Sequence, residues 1–94
     1  MYVRISRIRF DPDKYDQVME IIRDVPEVMR RQPGFLGYFA AADRAVGTGL
    51  AVSTWESEVQ AWVSRAVLGD TVPRMQALGV ELDAPEVYEM VVQV

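Results

Sequence analysis

The side chains with the most chemistry to offer are Arg4 and Arg7 on the first apolar segment, the tryptophans Trp55 and Trp62, and the tyrosines Tyr38 and Tyr88. An arginine that faces a cavity can hold a carboxylate or a phenolate and keep it deprotonated. The competing reading for Arg4 and for Arg7 is a charge pointing into water. Trp62 falls where a helix would turn it inward, as the wall of a pocket or as plain core filler. Tyr38 and Tyr88 can donate a hydrogen bond to a bound ring, and packing across a sheet explains them equally well. Trp55 closes a strand. Arg65 and Arg74 flank the second helical region and read as surface residues. Trp62, Arg7 and Tyr88 are the candidate catalytic set.

The residues that are missing narrow the chemistry further. The 94-residue chain has no cysteine and no histidine. Thiol nucleophiles, thiolate metal sites and disulfides are therefore excluded. The commonest general base and the usual proximal haem ligand are gone as well, so no cofactor is expected. Ser6, Ser53, Ser57 and Ser64 lack a histidine base, and Ser57, three residues before Gln60, has the form of a helix cap. Asp11, Asp13 and Asp16 cluster like calcium ligands. However, Pro12 interrupts them, and the glycine and distal glutamate of a calcium loop are absent; an acidic helix start fits better. Gly47-Thr48-Gly49 is a hairpin turn, not a phosphate cradle. A net charge of −4 argues against a nucleic-acid surface. No apolar run approaches the roughly 20 residues of a membrane span. Met1-Tyr2-Val3-Arg4 begins directly as a strand with no signal-peptide core, so a cytoplasmic protein is expected.

The elements that must position these residues follow one another without a linker. Tyr2 to Phe10 reads as a strand whose phase slips near Ser6-Arg7, which predicts a bulge or a cavity-facing position. Asp11-Pro12 opens a helix. Val18, Ile21, Ile22, Val25 and Met29 then form one apolar stripe. Pro26 interrupts it, and Asp24-x-x-Glu27 predicts a kink or restart there. Pro33-Gly34 stops the helix. Phe35 to Ala42 and Leu50 to Trp55 form a hairpin around Asp43–Gly49. Ser57 caps a second helix, expected to turn Val59, Trp62, Val63, Ala66 and Val67 inward until Gly69 ends it. A short helix from Asp70 to about Leu78 stops at Gly79. Val87 to Val94 is the last strand. The order β-α-β-β-α-β predicts one α+β domain over residues 1–94, a ferredoxin-like four-stranded antiparallel sheet with both helices on one face.

The other face of such a sheet is normally wet and polar. Here Phe35, Leu36, Tyr38, Phe39 and the following alanines make the second strand apolar on both sides. Tyr88, Met90, Val92 and Val94 oppose Val87 and Val91 on the last strand. A sheet apolar on both faces needs a second cover, and another copy of itself is the simplest one. A homodimer through the sheet is expected.

A helix ending in Gln32-Pro33-Gly34-Phe35-Leu36-Gly37-Tyr38, a strand, and a second strand ending in Trp55-Glu56-Ser57 resembles the antibiotic biosynthesis monooxygenase-like family of dimeric α/β barrels. The resemblance covers nearly the whole chain. The haem-degrading branch of that family carries an asparagine on the first strand, a tryptophan in the second helix and a histidine shortly after. Those sites fall here at Ser6, near Ser64 (two positions from Trp62) and near Arg74. The histidine is missing, so haem ligation in that mode is not expected. The cofactor-free branch oxidises electron-rich aromatics, and its substrate anion reacts with O₂ in a dry apolar pocket. The resemblance thus implies a cofactor-independent monooxygenase of a small phenolic, anthrone or quinol-type metabolite. The alternative is a non-enzymatic dimeric domain that binds a small apolar ligand or serves as an assembly unit. A pocket between helices and sheet, lined by Trp62 and an inward arginine or tyrosine, favours the first; a pocket filled by side chains favours the second.

Overall fold

The computed structural model describes residues 1–94. Strand β1 (Tyr2–Arg9) lies inside an antiparallel sheet, with β3 (Thr48–Trp55) on one side and β2 (Phe35–Asp43) beyond it. The other edge of β1 pairs with two short strands, β4 (Glu81–Leu82) and β5 (Glu86–Glu89). Helices α1 (Tyr15–Ile22), α2 (Val25–Arg30), α3 (Glu58–Ala61) and α4 (Thr71–Ala77) complete the chain. This is the ferredoxin-like α+β arrangement expected from the element order. No helix is long and apolar enough to cross a membrane.

Local chemistry sets each boundary. Asp11 accepts a hydrogen bond from the Asp13 amide, and Pro12 opens a single 3₁₀ turn leading into α1. The first helical stretch breaks between Ile22 and Val25, with Pro26 in the first turn of α2, as the proline predicted. The Asp24 side chain makes no capping bond, so the capping-box part of that expectation does not hold. Gly34 then turns the chain with φ of 79°, and a side chain there would collide with Gln60. Asp43 holds the hairpin turn by accepting from the Ala45 and Val46 amides. Gly47, at φ of 87°, sits against the Phe10 carbonyl, where no other residue fits.

The register corrects three expectations. Strand β1 pairs with β3 without a slip, from Tyr2 opposite Trp55 to Arg9 opposite Thr48, so the bulge is absent, while the cavity-facing alternative holds for Ser6. The irregularity lies instead in β2, between Phe35 and Gly37. The apparent phase slip near Ser6-Arg7 arises because both faces of a regular strand carry apolar residues: Val3 and Ile5 on one, Ile8 and Phe10 on the other. The last strand ends at Glu89, not Val94. Met90 donates to the Met1 carbonyl as the last bond of that ladder. The second helix is also far shorter than its stripe suggested. Helix α3 stops at Ala61, and a separate 3₁₀ turn spans Arg65–Leu68. Val59 and Val67, expected inside, are exposed.

Packing follows from these faces. Ile8, Phe10, Val18, Ile21, Met75 and Val80 form one buried cluster. Val25, Met29, Trp55 and Ala61 form another. Trp55 is fully buried, with its ring edge-on to Phe35 at 5.7 Å and its indole N–H donating to Ser53 Oγ at 2.8 Å. Replacing Trp55 with alanine removes the largest side chain of its cluster and is expected to cost about 3–5 kcal/mol. Val59→Ala, four residues on in α3 but solvent-facing, is expected to stay within about 0.5 kcal/mol. Urea unfolding of the two variants checks the ranking, and equal losses would contradict it.

Candidate functional site

The sheet face beneath the helices is built from matched cross-strand rows. Arg4 stands beside Ser53, which stands beside Tyr38. Ser6, Ala51 and Ala40 form the next row, and Ile8, Gly49 and Ala42 the third. Residues opposite one another in register share a face, so a patch of small side chains lies under α1, α2 and the 62–70 segment. Small residues there leave space that the helices do not fill. The result is a cavity of about 220 Å³. Its lining takes Ile8 and Met75 from one buried cluster and Val25 and Met29 from the other, so it occupies the gap between them.

Arg4 is the dominant polar group of this cavity. It is 4% exposed although it carries a full charge. Its Nη1 donates to the Ala61 carbonyl at 2.9 Å and to the Val63 carbonyl. These are carbonyls at the end of α3 that find no amide further along the chain, and a cation there also suits the helix dipole. The early stop of α3 therefore has a physical cause: the side chain of a strand residue completes its last turn. No carboxylate pairs with Arg4, and its Nε is buried without a partner. Burial, and then the like charge of Arg65, push its pKa down from the ordinary arginine value. Arg65 borders the same cavity and donates to the Asp83 carbonyl.

Ser53 is buried beside Arg4. Its oxygen accepts the Trp55 indole hydrogen, which leaves the hydroxyl hydrogen directed elsewhere. Tyr38 also lines the cavity, and burial pushes its phenol pKa up. The site thus combines a mostly apolar wall, two guanidinium groups and a few hydroxyls. No group of three His, Cys, Asp or Glu side chains stands together as a metal site.

The candidate set drawn from sequence does not converge here. Arg7, expected at the cavity, is on the other face of β1, one residue out of phase with Arg4 and Ser6. There it pairs with Glu86 at 2.9 Å, and the Tyr88 hydroxyl donates to the same carboxylate. Those two contacts hold the Glu86 pKa down, and the bond to Glu86 holds the Tyr88 phenol up. Trp62, expected on an inner helical wall, follows the end of α3 and is 50% exposed. None of Trp62, Arg7 and Tyr88 lines the cavity. The inward arginine on β1 is Arg4, and on the sheet Tyr38 is the tyrosine that faces the cavity, with Tyr15 reaching it from α1. Sequence reading weighed Arg4 and Tyr38. It missed the pairing that singles them out: Arg4, Ser53 and Tyr38 in one cross-strand row, with small residues in the next.

The sequence matches the antibiotic biosynthesis monooxygenase family over residues 1–73. Among curated proteins no sequence matches it. Solved structures share the fold. One from Deinococcus radiodurans, assigned as an antibiotic biosynthesis monooxygenase, superposes with a TM-score of 0.79 at 15% identity, covering 100% of this chain and 96% of that one. HapK from Hahella chejuensis gives 0.74 at 15% identity, with 100% and 96% covered. SnoaB from Streptomyces nogalater, a cofactor-independent oxygenase, gives 0.73 at 13% identity, with 99% and 95% covered.

The burial of Tyr38 fixes the sign of one pH effect. Below the ordinary phenol pKa of about 10 the group is neutral folded and unfolded alike. As pH rises past that value the unfolded chain ionises first, so stability falls until the folded pKa is reached. Denaturant midpoints followed through alkaline pH are expected to decline less in Tyr38→Phe than in the native sequence. Identical declines would place the Tyr38 phenol in a solvated setting.

Proposed function

This chain belongs to the antibiotic biosynthesis monooxygenase family, and on that footing we propose that it is a cofactor-independent oxygenase of a small planar phenolic, anthrone or quinol-type molecule. The observation that supports this most is the open cavity of about 220 Å³ between sheet and helices. A chain serving only as an assembly unit has no need to leave its core split. In this reading residues 1–94 act as one domain, with Arg4, Ser53 and Tyr38 as the polar contacts.

The chemistry needs little from the protein beyond that setting. An anthrone-type substrate loses a proton from its CH₂ carbon and becomes an enolate. The enolate passes one electron to O₂, the radical pair combines into a carbon-bound peroxide anion, and the proton lost in the first step returns to make it a hydroperoxide. Loss of water leaves the carbonyl, so that CH₂ and O₂ become C=O and H₂O. The slow step creates an anion, and preorganised donors in a water-poor site favour it. The positive potential of Arg4 and Arg65 acts in that direction, and the apolar wall keeps the ring dry.

The outer sheet face supports a homodimer in the same reading. Phe39 is 59% exposed and Tyr88 54% exposed there. Val3, Ile5, Leu50 and Val52 lie beside them by register and are half-buried. A second copy placed sheet to sheet would cover this surface.

Two measurements test the proposal. Oxygen uptake with a panel of anthrones and hydroquinones, chelator present, is expected to exceed the uncatalysed rate. Ala51→Leu, which fills the cavity floor, is expected to lower kcat/KM by at least about tenfold without loss of fold. No acceleration on any member, or full activity with the floor filled, would reject the oxygenase. Sedimentation is expected to give a dimer mass, with Phe39→Asp dissociating or unfolding it. A stable native monomer would reject the sheet-to-sheet pairing.

A further inference from the structure

The donors in the cavity outnumber the acceptors available to them. Arg4 spends only Nη1 on the protein, and its Nε is buried and unpaired. The Ser53 hydroxyl accepts from the Trp55 indole and donates no hydrogen bond to the protein, so its own hydrogen is free for a ligand. Arg65 adds a second positive charge at the rim of the same space. The chain as a whole carries 14 acidic residues against 10 basic ones, yet no Asp or Glu lines this cavity. Two guanidinium groups and no carboxylate in a mostly apolar space amount to an uncompensated site. A buried charge is normally paired or satisfied by hydrogen bonds.

We propose that the cavity is built for an aromatic acid, with the ligand's carboxylate held by the unpaired Nε–Nη2 edge of Arg4 and by the Ser53 hydroxyl. The inference rests on the cavity being the substrate site proposed above and adds the class of molecule that enters it. The free edge of Arg4 has two parallel N–H donors, the geometry that matches the two oxygens of one carboxylate. A phenolate offers one oxygen and matches that edge less well. The ring of the acid would lie over the small residues Ala40, Ala51 and Ser6, where the sheet leaves room. Arg65 would act at longer range and attract the anion without gripping it.

The test is equilibrium binding by calorimetry at neutral pH, with 2-naphthoate, 2-naphthamide and 2-naphthol as probes of one shape and different charge. The naphthoate is expected to bind at least about tenfold more tightly than either neutral probe, the margin of a charge-assisted bidentate contact. That margin is expected to vanish as the acid is protonated at low pH. Arg4→Lys keeps the charge but loses the fork, and is expected to erase most of the preference. Arg65→Gln leaves the Arg4 contacts to α3 intact and is expected to weaken the naphthoate alone, by about threefold. Equal affinity for naphthoate and naphthamide, tighter binding of naphthol, or no naphthoate binding at millimolar concentration would each overturn the proposal. The readout does not involve O₂. An acid-selective protein with no oxygen uptake keeps this inference and loses the oxygenase. Turnover of neutral anthrones without acid selectivity does the reverse.

Discussion

One buried guanidinium ties the two layers of this protein together. Arg4 reaches from the central region of the sheet to the carbonyls of Ala61 and Val63 at the end of α3. A helix of four residues cannot persist on its own propensity. It is held at its start by Ser57, whose hydroxyl accepts the Gln60 amide, and at its end by Arg4. Between those two points Ala61 is fully buried in the same cluster as Trp55. Burying an arginine costs several kcal/mol in water-poor surroundings, and the two carbonyls offset only part of that. A purely structural cap at this place would be served at lower cost by a glycine turn. The choice of a charge makes sense if the same group has a second task in the adjoining space.

The cavity and the split core are two descriptions of one design. A chain of this length can bury only a modest core. Here that core is divided, with one cluster around Val18 and Ile21 and another around Trp55. The rows Ser6–Ala51–Ala40 and Ile8–Gly49–Ala42 put small residues where large ones would have joined the two. Filling the gap with leucine or phenylalanine would raise stability by ordinary packing. Leaving it open trades stability for a space between the sheet and Met29, Val25 and Leu68, which in the proposed reading takes a planar molecule. A dry wall with few polar groups is what chemistry carried by the substrate's own electrons requires.

Much of this was legible in the chain. The Asp11-Pro12 start, the break at Pro26, the Pro33-Gly34 turn and the Ser57 cap all stand where local chemistry put them. These features depend on neighbours within four residues. What failed depends on partners far away. The stripe Val59, Trp62, Val67 has helical spacing, but Arg4 takes the carbonyls at 61 and 63, and the helix ends before the stripe is used. Val91, Val92 and Val94 have strand character, but the ladder with β1 ends at Glu89 opposite Tyr2, and a strand pattern does not show where its partner's pairing stops. The short strand at Glu81–Leu82 is too brief to carry a pattern and exists because Ile8 and Arg9 have a free edge. For the site, sequence supplied the residue types and the idea of an inward arginine. It chose Arg7 where the structure turns Arg4 inward, because a doubly apolar strand does not announce which face is inside.

That ambiguity points to where the function of this fold is decided. On β1 the even residues Arg4, Ser6 and Ile8 build the cavity, and the odd residues Val3, Ile5 and Arg7 build the outer face. A slip of one residue would exchange them. It would bring Arg7 inward and leave Glu86, which now pairs with it, without its ion-pair partner. Register is therefore a functional constraint as much as a structural one. It is pinned at one end of the hairpin by Gly47, which no larger residue can replace against the Phe10 carbonyl, and at the other by the irregularity between Phe35 and Gly37. The motif that dominates the sequence, Pro33-Gly34-Phe35-Leu36-Gly37-Tyr38, lies at that second pin. It has no chemistry of its own; what it does is set the phase that puts Tyr38, Ser53 and Arg4 in one row beneath the helices.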